Sequence, residues 1–350
     1  MRLATRPKRL GFFTRLLDET GPAERYRLAI AQIVHAERVG FDSAWIAQHH
    51  FHEDEGGLPA PFVFLAQVAA RTSRIRLGTG IVTLPLELPV RVAEDAAVLD
   101  LLSDGRLEIG VGTGGTPSAF AAFGLDSAER STIFARHLQV LLDAWGGKPL
   151  DGADTRLYPA APQLLGRIWQ ATFSVAGGAR AGAAGDGLML SRTQPRPAEV
   201  PHATLAEIQD PVVDAYLAAL PAGKEPRILA SRSVYVADSR DEARRFAERG
   251  LRRQADRFAA AGRGAPGDTL DQLIAAFDVH LGTADEVIAS LRADDTLRRA
   301  TDLVVQVHSV DPPHPFILRS IELVAQEVAP AFGWARQDQG NDIRLAAASC

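Results

Sequence analysis

The chain has 350 residues, of which 46% are hydrophobic and 23% charged, with a formal net charge of -5 and a sequence pI of about 6.0. This ordinary globular composition carries no basic field that would attract nucleic acid or an anionic membrane. The single cysteine, Cys350, excludes a disulfide framework, and no apolar run is long enough to span a bilayer or to form a signal peptide, so we expect a cytoplasmic protein.

Eight short apolar runs, typical of buried strands, alternate along the chain with segments of helical periodicity. The predicted strands are residues 10–14, 43–48, 75–82, 106–112, 167–173, 187–191, 228–236 and 302–308. The predicted helices are residues 22–40, 59–73, 90–102, 128–145, 175–184, 211–220, 240–261 and 316–328. Apolar strands separated by helices indicate a parallel sheet covered on its faces, and eight such units indicate a closed barrel.

The fold class that we predict is therefore α/β, a single (β/α)8 TIM barrel domain over residues 1–335 with insertions after the strands on the C-terminal side. Residues 336–350 are polar and then small, and we expect them to form a poorly ordered tail. The connections at 193–225 and 259–276 are long and contain glycine and proline, so we expect a lid from one of them.

Polar side chains follow the second predicted strand. His49, His50 and His52 come directly after this apolar run, and the acidic segment 53–55 comes next. Unpaired charges are too costly to bury in a core, so this end of the strand should open into a polar cleft, where barrels carry their catalytic residues. A metal hydrolase that uses His50 and His52 with His308 is a disfavoured alternative, because a catalytic zinc needs at least three protein ligands and only His308 could help from the other strand ends. The fifth and sixth strands end in Phe173 and Arg192, which do not bind zinc.

Glycines mark two other strand ends. Gly110 to Gly115 matches G-x-G-x-x-G, but no helix begins at the third glycine and residues 131–138 contain no acidic residue, so a dinucleotide-binding fingerprint is disfavoured. These glycines are better explained by a tight turn and the close approach of a flat ligand. Gly80 interrupts a buried strand, which indicates either a ligand against the backbone or close packing inside the barrel.

A helix is predicted to begin directly after the fifth strand, at Ser174. The residues that follow it are small, so the backbone N–H groups of the first turn are accessible. Helix N-termini bind anions through these free donors and through the helix dipole. We interpret this segment as a phosphate site, and an ordinary N-cap serine is the alternative.

Four sequence blocks occur in the order and strand context of a known family. They are Trp45-Ile-Ala-Gln-His-His-Phe51, Gly78-Thr-Gly-Ile-Val-Thr-Leu-Pro85, Pro89-Val-Arg-Val-Ala-Glu-Asp95 and Leu102-Ser-Asp-Gly-Arg-Leu107. With these blocks the chain resembles the bacterial-luciferase-like flavin monooxygenases from Leu10 to about Pro330. A fifth segment, Gly282-Thr-Ala-Asp-Glu-Val287, is similar to a Gly-Thr-Pro-Glu-Glu-Val segment of that family.

The resemblance implies a barrel that binds reduced FMN at its C-terminal mouth, where the flavin reacts with O2 to give a hydroperoxide that oxidises a small organic substrate. It implies that His49 is the catalytic residue, and that a cis peptide bond joins Gly80 and Ile81 under the flavin ring. The other cofactor-binding residues that it implies are Thr79, Thr113, Gly114, Ser174, Val175, Ala176, Gly177, Gly178 and Ser191.

One position departs from the family pattern. Thr113 stands where bacterial luciferase has an arginine, so a hydroxyl and the amides of Gly114 and Gly115 take the place of a charge near the phosphate. Arg180 and Arg192 are candidate substitutes. The departure does not decide between FMN and the deazaflavin F420, which some members of the superfamily use.

We therefore predict a two-component flavin-dependent monooxygenase with no metal. No NAD(P)H-binding motif is visible, so a separate NAD(P)H:flavin reductase would supply FMNH2. Relatives form homodimers through the helices near 60–73 and 89–102, and we expect the same here, with Phe62, Val63 and Leu99 on that surface. The alternatives are an F420-dependent oxidoreductase of the same fold and a non-catalytic flavin-binding protein.

Overall fold

The structure is a computed structural model that describes residues 8–197, 199–200, 203–260 and 267–334. Its strands pair in parallel throughout these ranges. They are β1 (Arg9–Thr14), β2 (Ser43–Ile46), β3 (Arg76–Thr79), β4 (Val82–Thr83), β5 (Leu107–Gly112), β6 (Ile168–Ala171), β7 (Gly187–Leu190), β8 (Ile228–Val236), β9 (Val279–Gly282) and β10 (Asp302–Gln306).

The helices begin and end where local chemistry favours it. Proline at the first position starts α1 and a left-handed Gly40 ends it, because proline lacks the unneeded N–H and glycine tolerates positive φ. The helices are α1 (Pro22–Val39), α2 (Pro61–Ala69), α3 (Pro89–Leu102), α4 (Pro117–Ala122), α5 (Arg130–Trp145), α6 (Val175–Ala184), α7 (Leu205–Ala219), α8 (Arg240–Ala260), α9 (Leu270–Ala276), α10 (Ala284–Arg292), α11 (Asp295–Arg299), α12 (His314–Leu323) and α13 (Ala329–Ala331).

Eight of the strands close into a barrel. The order is β1-β2-β3-β5-β6-β7-β8-β10, and β10 pairs with β1 again, with Arg9 opposite Asp302. The short β4 pairs with the end of β5, and β9 pairs with the C-terminal half of β8, which is called its outer half below. This closed parallel sheet surrounded by helices confirms the predicted TIM barrel. All strand C-termini open at one mouth, since every pairing is parallel.

Two tryptophans fill the lower interior of the barrel. The rings of Trp45 and Trp169 meet edge to face with their centroids 5.7 Å apart. Gly78 and Gly187 provide the space, because a Cβ atom at either position would overlap with an indole ring. The apolar interior cluster consists of Trp45, Trp169, Met189, Leu229 and Val304, with Phe13, Ile81 and Ala171 against it. Glycine inside these strands therefore serves packing.

The chain between β8 and β10 was only partly predicted. Besides α8 it contains α9, β9, α10 and α11, which the sequence reading did not separate. The outer half of β8 pairs with β9, with Ser233 opposite Val279. A second apolar cluster around Tyr235 and Leu251 fills the space beneath this added unit.

Both long connections contain helices, and a lid from one of them stays a prediction. Residues 205–219 of the first form α7, which packs on α6 so closely that a Cβ at Gly178 would lie 2.5 Å from the carbonyl oxygen of Val212. The second contains α9, and residues 261–266 lie outside the described residues. The boundaries of the single domain and the tail at 336–350 stay predictions, because both chain ends lie outside the described residues. Over the described ranges, no helix is long and apolar enough to cross a membrane.

Candidate active site

The loop that carries His49 is held at the mouth of the barrel by its neighbours. The amide of His49 donates to the carbonyl oxygen of Leu58 at 3.1 Å. The preceding Gln48 accepts from the amide of Thr83 at 2.7 Å and donates to Glu87 Oε1 at 2.6 Å. The end of β2 is therefore tied to the segments that follow β3, and the position of His49 does not depend on a free loop.

His49 is a neutral imidazole at physiological pH. Burial, with a smaller contribution from the charge of Arg15, lowers the pKa of His49 from 6.5 to about 3. This shift could not be expected from the residue type, because an ordinary histidine titrates near neutral pH. His49 can therefore offer one N–H donor and one acceptor, but it does not hold a positive charge.

The two other histidines of this segment have separate contacts. The ring of His50 meets Phe123 edge to face at 5.0 Å, and its Nε2 is buried without a partner in the described residues. His52 Nε2 lies 3.0 Å from the hydroxyl of Ser118. Across the described ranges, no group of three histidine, cysteine or acidic side chains is arranged to hold a metal ion. In the described residues, His50 thus contacts an aromatic ring and His52 contacts a serine hydroxyl.

The segment after β3 has the backbone conformation that we expected from the resemblance. The peptide bond between Gly80 and Ile81 is cis. The amide of Gly80 donates to the carbonyl oxygen of Ile46 at 2.7 Å, which holds this segment against the end of β2. A Cβ at Gly80 would lie 2.7 Å from the ring of Phe13, so packing alone already requires glycine here.

Thr79 lies beneath this segment and does not face the mouth. Its hydroxyl donates to the carbonyl oxygen of Gly110 at 2.8 Å and accepts from the amide of Gly110 at 2.9 Å. The residue is fully buried. These two bonds hold the segment before Gly80 against β5, and a direct contact between Thr79 and the cofactor stays a prediction.

The glycine-rich end of β5 is a turn at the rim. Gly114 has a φ of 70°, a left-handed conformation that favours glycine. Thr113 is half-buried and its hydroxyl makes one long contact, 3.4 Å, with the carbonyl oxygen of Gly114. The helix α4 begins only at Pro117, after the turn, and the barrel fold excludes the Rossmann alternative for this motif.

The N-terminus of α6 is exposed and ordered by hydroxyl groups. Ser174 is its N-cap, and its Oγ accepts from the amide of Gly177 at 3.1 Å. The amide of Ser174 donates to the hydroxyl of Thr172 at 3.1 Å. Val175 and Ala176 are exposed, and the first amides of an α-helix have no partner within the helix. This first turn thus has the exposed residues and the N-cap that the predicted phosphate site requires.

The small residues of α6 have two different roles. A Cβ at Gly177 would overlap with Thr172 Oγ1, so glycine there shapes the first turn. At Gly178 and Gly182, a Cβ would strike the backbone of α7. The predicted contribution of Gly178 to phosphate binding is therefore limited to its amide, which already donates to the carbonyl oxygen of Ser174 at 3.0 Å.

The candidate substitutes for the missing arginine do not lie on this predicted phosphate site. Arg180 donates to Gln170 Oε1 at 2.8 Å and stacks over Phe134. Arg192 is buried and donates to the hydroxyl of Ser233 on β8 at 3.0 Å. Ser191 lies at the end of β7, with its hydroxyl 3.1 Å from that of Thr193.

No binding role was predicted for Arg15 from the sequence, and His308 was named only in the disfavoured metal alternative. His308 follows β10, and its Nδ1 lies 2.9 Å from both carboxylate oxygens of Asp311. Burial lowers the pKa of His308 to about 4, although the nearby carboxylate opposes this. Arg15, directly after β1, lines a cavity of about 280 Å³ together with His308. The available signal was the same as for His49: a titratable side chain just after an apolar strand.

A family model described as luciferase-like monooxygenase matches residues 10–300. The similar 4-hydroxyprotoasukamycin monooxygenase of Streptomyces nodosus subsp. asukaensis is 40% identical over 105 residues, 30% of this chain and 28% of that protein. The chain spans about a third of the length of the first curated relatives that it matches. Limonene 1,2-monooxygenase of Rhodococcus erythropolis is 27% identical over 318 residues, 86% of this chain and 80% of that protein.

Solved structures share the fold over nearly the whole chain. Monooxygenase RslO1 from Streptomyces bottropensis superimposes with a TM-score of 0.75 at 28% identity, covering 93% of this chain and 99% of that one. Structures below 25% identity show the fold alone. Among these, one contains the oxygenating constituent of 3,6-diketocamphane monooxygenase with FMN, and another an F420-dependent secondary alcohol dehydrogenase.

Proposed function

The chain belongs to the luciferase-like monooxygenase family, and we propose that it is a flavin-dependent monooxygenase that uses reduced FMN and O2 to oxidise a small organic molecule. One observation supports this most: His49, the Gly80–Ile81 platform and the first turn of α6 all lie at the same mouth of the barrel. A flat phosphorylated cofactor needs a platform for its ring, a polar group beside the ring and an anion site for its tail.

The phosphate end of FMN fits the first turn of α6. Gly177 keeps this turn open where any side chain would overlap with Thr172, and the amides of Val175 and Ala176 are exposed. These amides would hold the phosphate together with the hydroxyl of Ser174. Thr113, on the rim after β5, is the further hydroxyl that would compensate for the absent arginine of bacterial luciferase.

The ring end fits the platform after β3. Ile81, Phe13 and Met189 form an apolar floor there, continuous with the tryptophans inside the barrel. Such a floor excludes water from below, which protects reactive oxygen chemistry from side reactions. Thr79 would hold the platform in place through its two hydrogen bonds to Gly110.

Reduced flavin, when bound, supplies the electrons and the site at which O2 is activated. His49 would contribute a neutral imidazole beside that site, able to donate or to accept one hydrogen bond at each ring nitrogen. A neutral group avoids placing a fixed positive charge where a proton must be retained. Ser191, at the end of β7, would add a hydroxyl to the rim near the ring.

Two partners belong to the proposal. The reduced flavin would come from a separate NAD(P)H:flavin reductase, and the chain would form a homodimer through α2 and α3. Leu99, expected on the dimer surface, is buried against the barrel, whereas Val63, Val98, Leu101 and Leu102 are exposed on these helices. If that surface pairs two copies, light scattering should report a dimer and Leu101→Lys a monomer, with Tyr158→Lys as the exposed control.

The proposal is tested by anaerobic titration with FMN, FMNH2, F420 and F420H2, followed by O2 uptake with an added flavin reductase. We expect FMNH2 to bind and to be reoxidised by O2 on the protein. Preferential binding of F420H2 without a reaction with O2 would favour the F420-dependent alternative. Flavin binding without any O2 chemistry would favour a non-catalytic flavin-binding protein, and no binding in either redox state would overturn the proposal.

A further inference from the structure

Two arginines at the mouth of the barrel have far fewer hydrogen bonds than their burial requires. Arg15 follows β1 and Arg192 follows β7. The side chain of Arg192 is buried, at 4% exposed, and the Nε of Arg15 is buried without a hydrogen-bond acceptor in the described residues. A guanidinium carries five N–H donors and a permanent charge, so a buried one needs several acceptors.

The acceptors present are too few for these two guanidinium groups. Arg192 donates to the hydroxyl of Ser233 at 3.0 Å, and Arg15 makes a long contact of 3.4 Å with the carbonyl oxygen of Glu55. Within the part of the chain that the structure describes, neither arginine forms an ion pair with a carboxylate. Burial and the neighbouring charge of Arg15 lower the pKa of Arg192 to about 9.

Other buried arginines of the same protein are satisfied. Arg106 makes five hydrogen bonds, to oxygens of Ala69, Thr72, Ile75 and Ser103. Arg232 pairs with Asp294, with Nε and Oδ2 2.5 Å apart. The fold therefore provides partners for arginines that serve structure, and the shortage at the mouth is a local feature.

The acidic groups nearest the mouth already have partners. Asp311 accepts from His308 at 2.9 Å and from Arg253 at 3.0 Å. Asp278 is held by Arg196, with Nη2 and Oδ2 2.6 Å apart. The charges of these carboxylates, with those of Asp54 and Glu55, partly offset the two arginines, but none of the four accepts a side-chain hydrogen bond from either guanidinium in the described residues.

An adjacent cavity gives a ligand access to Arg15. It has a volume of about 280 Å³ and is lined by Phe13, Arg15, Gln306 and His308 among others, but not by Arg192. The carboxylates in its lining have partners of their own: Asp18 bonds to Gln32, Glu19 to Arg249 and Asp311 to His308. Gln306 pairs in register with Ser233, the partner of Arg192, and its Oε1 is buried without a donor in the described residues. Phe13 is also the ring that packs against Gly80, so the cavity borders the flavin platform.

We propose that the substrate carries a carboxylate, which Arg15 and Arg192 bind while the rest of the molecule lies in the cavity beside Phe13. This inference rests on the proposed function, because it assigns the substrate class of the same site. In the closed barrel β1 lies opposite β6, so Arg15 and the first turn of α6 lie across the mouth from each other, whereas Arg192 follows β7, the neighbour of β6. Competition with inorganic phosphate therefore distinguishes this anion from the phosphate of the cofactor.

The test uses benzoate and its uncharged analogue benzamide as probes, with binding to the flavin-free full-length protein measured by calorimetry at constant ionic strength. We expect benzoate to bind at least about tenfold more tightly than benzamide, because a buried guanidinium pair recognises a carboxylate by charge-assisted hydrogen bonds. Arg15→Gln and Arg192→Gln should each remove this preference. The matched control is Arg249→Gln, a cavity-lining arginine already paired with Glu19, which should leave it unchanged.

A second measurement does not depend on ligand binding. Arg192→Met should raise the thermal midpoint of the ligand-free protein, because it removes a buried and poorly compensated charge.

Equal binding of benzoate and benzamide by the wild type would overturn the proposal. The proposal would also be overturned if both arginine variants lost affinity for FMN and inorganic phosphate displaced benzoate from the wild type. The two arginines would then bind the phosphate of the cofactor. A failure of the proposed function would appear separately, as no binding of FMN or FMNH2 by the wild type.

Discussion

The amide of Gly80 donates to the carbonyl oxygen of Ile46 at 2.7 Å, and this bond ties the cis peptide after β3 to the strand that leads into His49. The two segments that carry the proposed flavin site are therefore held against one another by a hydrogen bond between their backbones. A site held on rigid elements can keep its groups in the geometry that its chemistry requires. This arrangement underlies the predictions below.

Replacing His49 should impair the reaction of reduced flavin with O2. His49→Ala removes the neutral imidazole beside the platform, and we expect the rate of reoxidation of bound FMNH2 to fall by about 10²-fold, the usual size of such a contribution. Stopped-flow absorbance measures this rate, and the affinity for FMNH2 should stay within about threefold. His52→Ala, at a residue bonded to Ser118, is the control and should react as the wild type does. An unchanged rate in His49→Ala would remove His49 from the catalytic role.

Removing the hydroxyl of Ser174 should weaken binding of the phosphate end of the cofactor. We expect Ser174→Ala to lower the affinity for FMN by about tenfold while leaving the affinity for riboflavin, which has no phosphate, unchanged. Thr204→Ala is a matched control, because Thr204 caps α7 with the same type of bond and its loss should cost a similar free energy of unfolding, about 1 kcal/mol. Equal losses for FMN and riboflavin would show that Ser174 only caps the helix.

Adding one methyl group inside the barrel should destabilise it. Gly78→Ala places a Cβ within the ring of Trp45, and we expect the free energy of unfolding to fall by about 1–3 kcal/mol, as for other overpacked cores. Gly166→Ala is the control, because a Cβ there has no neighbour within 4 Å, and it should change the stability by less than about 0.5 kcal/mol. Urea denaturation measures both. A neutral Gly78→Ala would mean that the tryptophan interior can rearrange.

Buried histidines should make the protein less stable in mild acid. Burial and the charge of Arg232 lower the pKa of His280 to about 4, against the opposing effect of Asp294. Between pH 6.5 and 4, His280 is protonated in the unfolded chain but not in the folded one. Its contribution to the free energy of unfolding is therefore complete above pH 6.5 and is lost as the pH falls towards 4. The slope for one histidine is at most about 1.4 kcal/mol per pH unit.

His280→Gln keeps a side chain that can bond to Ser290 but does not titrate. We expect the difference in stability between pH 7 and pH 5, measured by urea denaturation, to become smaller in this variant. His52→Gln, at a histidine that contacts Ser118 near the surface, should retain the full dependence. If His280→Gln retains it as well, the buried site is not the origin.

The barrel could be predicted from the sequence because its strands are apolar on both faces. β1, β5 and β8 are the clearest, since each is continuous and ends at a residue that stops or redirects the chain. β9 was missed because four residues with a central histidine have no distinct period. Its place became visible only through its pairing with the outer half of β8.

The positions of the candidate site residues could be predicted from the sequence, but the effects of burial on them could not. The position of Ser174 at a helix start follows from local chemistry, and the structure shows that cap directly. The lowered pKa of His49 and the poorly satisfied Arg15 depend on what surrounds them, which one sequence does not specify. Thr79 differs from both: the resemblance implies a cofactor contact, whereas the structure shows its hydroxyl bonded to Gly110 on the neighbouring strand.

The central claim is that one flat phosphorylated cofactor reaches from the first turn of α6 to His49. It is tested most directly by a crystal structure of the protein with FMN, soaked under anaerobic conditions. We predict a phosphate within hydrogen-bond distance of the amides of Val175 and Ala176, with the ring over the Gly80–Ile81 platform and beside His49. Density for FMN anywhere else, or a phosphate held by Arg15 and Arg192, would contradict this account.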